Sequence, residues 1–224
     1  MTARKLLLPV AAVSAWLTML PSANAHRLDE YLQATRLSID NTRVDLELDL
    51  TPGITLATEV FASIDTNSDG AISDAEGAAY ASQVLRSLVL SADGKPLPIT
   101  LTESHYPQFS DMALGMGTIR LRATARMSAP GAGHHQLSFL NNHRPARSVY
   151  LVNALIPDNP RVQVTDQQRD PAQHGVTVDY TIAAQPPPAW LFALLGGLVI
   201  FARLLLRRRR NALCLSHADP TPAA

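Results

Sequence analysis

Apolar and polar residues alternate with a period of two along much of this chain, and that pattern constrains the fold more than any other feature. Val44, Leu46, Leu48 and Leu50 point one way, while Asp45, Glu47 and Asp49 point the other. Ile119, Leu121, Ala123, Ala125 and Met127 alternate with Arg120, Arg122, Thr124 and Arg126. Such alternation marks strands that bury one face. Tyr31–Ile39 is also strand-like, and Asp40-Asn41-Thr42 reads as the turn between it and the next strand. Leu97–His105, Leu137/Phe139, Val162/Val164 and Val176–Ile182 extend the series. Val149–Ile156 is a nearly unbroken apolar run, which predicts a central strand. Pro and Gly clusters such as Ser91-Ala92-Asp93-Gly94 and Ala129-Pro130-Gly131 separate the strands. About eight strands in total predict a mainly β chain of the α+β class, built as an antiparallel β-sandwich. Cys214 is the one cysteine, so the fold rests on its core and any bound metal rather than on an internal disulfide.

One region departs from this period. From about residue 54 to 90 the apolar residues fall at helical spacing: Leu56, Val60 and Ile64, then Tyr80, Val84 and Leu88. Two helices are therefore expected, inserted after the first hairpin. Between them lies Asp65-Thr66-Asn67-Ser68-Asp69-Gly70-Ala71-Ile72-Ser73-Asp74-Ala75-Glu76. Asp65, Asn67 and Asp69 stand at positions one, three and five of twelve. Gly70 at six permits a sharp turn, Ala71 at seven offers a backbone carbonyl, Ser73 stands at nine and Glu76 closes the set at twelve. A hard cation such as Ca2+ takes six to eight oxygens, and this spacing supplies them. Ser73 and Glu76 also form a capping box for the second helix. The loop resembles the EF-hand family over all twelve positions. The resemblance implies a helix-loop-helix holding one calcium ion through Asp65, Asn67, Asp69, Ala71, Ser73 and Glu76. The chain holds no second copy with which such a loop could pair, and the ion is expected to be structural.

The net charge of zero hides an asymmetry. Residues 26–188 carry twelve Lys/Arg and eighteen Asp/Glu, whereas both ends are basic. Arg4 and Lys5 precede an apolar run from Leu6 to Leu20, and Ala23-Asn24-Ala25 follows Pro21. A basic start, a short apolar stretch and a small-residue site predict a signal peptide over residues 1–25, with cleavage before His26. Ala189–Leu206 is apolar except for Arg203, and Arg207–Arg210 follow. This predicts one C-terminal transmembrane helix over 189–206, with residues 207–224 as a cytoplasmic tail. Residues 26–185 would then form the periplasmic domain, and the prolines at 186–188 a stiff spacer. The chain is thus expected in a bacterial inner membrane, crossing it once. An acidic body without basic, aromatic-rich patches excludes nucleic acid as a partner.

Six of the seven histidines fall in the body. A mature N-terminus at His26 would present an amino group and an imidazole together. His134, His135 and His143 flank one predicted strand and could complete a separate site for nickel, cobalt or copper. The opening His26-Arg27-Leu28-Asp29-Glu30-Tyr31-Leu32 resembles the periplasmic domains found with HupE/UreJ-like nickel/cobalt permeases. Ser148-Val149-Tyr150-Leu151-Val152-Asn153-Ala154-Leu155-Ile156-Pro157 resembles them too. The resemblance covers residues 26–183 and implies an accessory domain beside a metal permease or other envelope protein. Its single span departs from the permeases, so a transport path would have to come from the partner. Neither a nucleophile elbow, a phosphate loop nor a paired zinc motif is present. Two readings stay open: a membrane-anchored calcium-binding module that is not an enzyme, and a transition-metal accessory protein for a transporter.

Overall fold

The computed structural model describes residues 29–186 and 188–215, with side chains omitted at a few positions of the last helix. The expected signal peptide, His26, and residues 216–224 of the expected tail lie outside the described residues. The chain divides into two units, Met1–Ala183 and Ala184–Ala224.

The first unit is mainly β. Its described residues form two five-stranded sheets, with ten strands rather than about eight. The first sheet contains β1 (Tyr31–Ile39), β2 (Arg43–Pro52), β5 (Ile99–His105), β6 (Ile119–Arg126) and β8 (Ser148–Ala154). Their order is β5-β6-β2-β1-β8. The second sheet contains β3 (Leu88–Ala92), β4 (Lys95–Pro96), β7 (Gly133–Asn141), β9 (Val162–Arg169) and β10 (Gly175–Ile182). Their order is β4-β3-β7-β10-β9. Every pairing is antiparallel except that of β1 with β8, which run parallel. Inserted between β2 and β3 are α1 (Ala57–Ala62) and α2 (Asp74–Arg86), and a short α3 (Phe109–Ala113) follows β5.

The expected alternation is realised residue by residue. Along β2 the odd and even positions separate cleanly, with Val44, Leu46, Leu48 and Leu50 at most 1% exposed. Their partners in β1 are Ile39, Leu37, Thr35 and Gln33, which face the same way. The inward residues of both sheets, together with Val60, Ile64, Tyr80 and Val84 of the helical insertion, belong to one continuous core. Each such aliphatic side chain contributes roughly 1.5–3 kcal/mol on burial. The polar face of the first sheet carries a ladder of ion pairs. Arg36 reaches Glu47 at 3.0 Å and Asp49 at 2.9 Å, while Arg122 contacts Glu47 as well. Half-exposed pairs of this kind add only about 0–1 kcal/mol each.

Two expectations are corrected. Leu88 does not continue the helix. α2 ends at Arg86, where Ser87 caps it by donating its hydroxyl to the Val84 carbonyl at 2.5 Å. Leu88 then starts β3, opposite Asn141 of β7. The Asp93-Gly94 pair, both with positive φ (49° and 73°), closes a two-residue hairpin into β4. The run Val149–Ile156 is not a central strand either. β8 lies at the edge of its sheet, with Val149 37% and Leu151 42% exposed and Ile156 91% exposed beyond it. Its free edge is bridged by side chains of β9. Gln167 accepts from the Ala154 amide at 3.1 Å and donates to the Ala154 carbonyl at 3.0 Å, and Arg169 donates to the Val152 carbonyl at 2.8 Å. These bonds occupy backbone groups that an open edge would offer to another strand.

In the second unit, α4 runs from Ala189 to Leu215, past the expected span and through the four arginines. Taken over the described side chains alone, no helix is long and apolar enough to cross a membrane.

Candidate metal centre

The loop from Asp65 to Glu76 is held at both ends by packing. α1 buries Ala57, Val60 and Phe61, and the Ile64 and Asp65 amides donate back to the Phe61 carbonyl, both at 2.9 Å. Asp65 therefore starts the loop from a buried position, 6% exposed. Its two carboxylate oxygens accept from the amides of Asp69 (3.2 Å) and Gly70 (2.9 Å), curling the chain around it. Gly70 has φ +82°, a conformation open to glycine at no steric cost. Asn67 Oδ1 accepts from the Asp69 amide at 3.0 Å, and Asp69 Oδ1 from the Ala71 amide at 2.9 Å.

The expected capping box forms. Ser73 Oγ accepts from the Glu76 amide, and Glu76 Oε2 accepts from the Ser73 amide at 3.0 Å and the Ser73 hydroxyl at 2.7 Å. The other oxygen, Oε1, accepts from the Thr66 amide (2.7 Å), the Thr66 hydroxyl (3.0 Å) and the Asn67 amide (3.2 Å). Five donors thus surround a carboxylate that is 9% exposed. The bonds from Ser73, hydroxyl first and then amide, draw its pKa down to about 2, with Thr66 and Asn67 adding to the effect against the cost of desolvation.

The donor types suit calcium: three carboxylates, an amide oxygen, a hydroxyl and the Ala71 carbonyl, all oxygen and no nitrogen or sulfur. Their placement is a different matter. Among the described residues no three His, Cys, Asp or Glu side chains form a group placed to hold a metal ion. The carboxylates of Asp65, Asp69 and Glu76 are instead engaged by the loop's own N–H and O–H groups. A groove of about 540 Å³ lies alongside, lined by Phe61, Gly70, Ala71, Ile72, Tyr106 and Phe109 among others.

The exit helix of the loop is tied into a buried polar network that the sequence reading did not anticipate. Tyr80 of α2, 2% exposed, bonds through its hydroxyl to the Tyr31 hydroxyl at 2.8 Å and to His143 Nε2 at 3.3 Å. Gln33 donates to the His143 carbonyl at 2.8 Å and to Ser148 Oγ at 2.6 Å, and accepts from Asn141 at 2.9 Å. Asn141 Oδ1 in turn accepts from the His143 amide at 2.9 Å, and Tyr150 donates to the His143 carbonyl at 2.8 Å. A signal was present: Gln33 is a polar residue on the largely apolar inward face of β1, and a buried polar residue needs a partner.

The candidate transition-metal ligands are not brought together. His26 lies outside the described residues. His143 is 3% exposed in the network just described, and burial first, then the neighbouring Arg144 charge, push its pKa down to about 4. His134 and His135 begin β7, while His143 lies two residues past its far end. His134 is exposed. His135 spends both ring nitrogens elsewhere, 2.8 Å from Asp93 Oδ2 and 2.9 Å from the Gly131 carbonyl.

No family model matches this chain, and no characterised protein matches it in sequence.

Proposed function

We propose that this chain is a membrane-anchored calcium-binding module whose β-sandwich domain stands on the periplasmic side of a bacterial inner membrane. It acts as a binding or accessory module rather than as a catalyst. The observation that carries the reading is the Asp65–Glu76 loop itself. Six oxygen donors fall at EF-hand spacing, framed by two helices and closed by the Ser73–Glu76 capping box. Asp65, Asp69 and Glu76 would supply the charge, Asn67 and Ser73 neutral oxygens, and Ala71 a carbonyl. Bound calcium would draw these three carboxylates together, neutralise them and stabilise the folded state by mass action. Within the chain, Phe61 anchors the entering segment and Tyr80 the exiting helix, so loop order and core order are linked.

The anchor and topology rest on the apolar segment 189–206 with its arginine flank and on the signal-like residues 1–25. A sandwich is supported by inward faces of both sheets sharing one core. The described histidines lend no support to a nickel, cobalt or copper site, which leaves the transporter-accessory reading without a specific observation in its favour.

The test is thermal unfolding of the full-length chain in detergent with millimolar calcium and with chelator. At a hundredfold excess over Kd, calcium stabilises by about 2.7 kcal/mol, which raises the melting midpoint by several degrees. Glu76→Gln should abolish most of that rise. Identical midpoints for wild type in both conditions would overturn the proposal.

A further inference from the structure

Thr66 has no ligand role at position two of the loop, yet it makes two bonds to the last ligand. Its amide and its hydroxyl both donate to Glu76 Oε1, at 2.7 and 3.0 Å. Ser73 holds the other oxygen with its amide and hydroxyl. Glu76 in this state is saturated with donors, and the loop carboxylates are not grouped to hold an ion. A carboxylate cannot give both oxygens to a cation while those oxygens accept five hydrogen bonds. Some of these bonds must break when the ligand set closes.

The donors differ in how dispensable they are. The Ser73 bonds cap α2, and Ser73 stands at a ligand position itself. The Thr66 and Asn67 amides belong to the backbone. The Thr66 hydroxyl is the one donor that is a side chain, outside the capping box and outside the ligand set. We infer that Thr66 sets the calcium affinity of this loop by acting as a latch, its hydroxyl holding Glu76 in the ion-free arrangement and competing with the ion. This rests on the calcium reading above. The latch serves the ion-free protein, in which Asp65 and Glu76 are buried carboxylates needing donors.

A residue that merely supported the loop would, when altered, weaken stability and calcium binding together. A latch separates the two in sign. Thr66→Val keeps the β-branched shape at an exposed position and removes only the hydroxyl. The experiment titrates calcium chloride into the full-length chain in detergent by calorimetry and measures the melting midpoint in chelator. For Thr66→Val, Kd should fall roughly two- to tenfold, the range one partly solvated hydrogen bond spans. The midpoint in chelator should fall at the same time. Thr66→Ser, which restores a hydroxyl, should return both values towards wild type. Unchanged or weaker calcium binding by Thr66→Val, with wild type binding normally, would overturn the latch and leave the calcium reading standing. Absence of calcium binding by wild type itself would overturn both.

Discussion

Acidification should destabilise this protein through His143 before any carboxylate matters. His143 is buried beside Tyr80 and Tyr31, with the Arg144 charge next to it, and its pKa falls to about 4. An unfolded histidine titrates near 6.5. Between these values the unfolded chain binds a proton that the folded chain refuses, so stability must fall as the pH drops through that window. At pH 4.5 the linkage relation with these two values comes to about 2–3 kcal/mol lost from His143 alone. The carboxylates held low, Glu76 at about 2 and Asp40, Glu47 and Asp93 below their usual values, lose their contributions only at lower pH. The window from about pH 6.5 to 4.5 therefore reports on histidine. Urea unfolding of wild type and His143→Gln at half-unit pH steps would measure the slope. His143→Gln should start less stable at neutral pH, because Tyr80 loses its ring partner, and should then show a much flatter line. Equal slopes in the two proteins, or a His143 resonance titrating near 6.5, would refute the reasoning.

His135 should behave in the opposite sense. Asp93 first, then the Gly131 carbonyl, raise its pKa against modest desolvation, and neither acceptor can donate, so the bonded ring carries both protons. Its contribution, about 1 kcal/mol for a partly exposed pair, is fully present below about pH 6.5 and lost as pH rises through the raised value; His135→Gln should remove that alkaline loss in urea unfolding. Gly77→Ala should destabilise by roughly 1–3 kcal/mol, although alanine normally improves a helix interior. An added Cβ would lie 2.5 Å from Tyr106 Cε2, and the Tyr106 hydroxyl is bonded to the Gly77 carbonyl at 2.6 Å. A higher midpoint for Gly77→Ala in thermal unfolding would show that the ring yields freely.

What could be read from the sequence was whatever repeats over a few residues. Period-two alternation marked β1, β2, β6 and β10, because each needs one buried face and its own residues say which. The spacing of Asp65, Asn67, Asp69, Gly70 and Glu76, and the Ser73 cap, are likewise local: a loop and a helix start depend on neighbours within twelve positions. Tertiary structure decided everything that depends on a distant partner. Val149–Ile156 has the composition of a central strand, but β1 pairs it on one side only and β9 side chains bridge its other edge. Leu88 keeps the helical period yet pairs with Asn141, since Ser87 ends the turn and β7 offers free backbone groups. In sequence His143 was a candidate transition-metal ligand. In the fold it is a core residue, because Gln33, 110 positions earlier, and Tyr80, 63 earlier, close around it. Period and spacing are properties of a segment, whereas burial and hydrogen-bond satisfaction belong to pairs that the chain brings together only on folding.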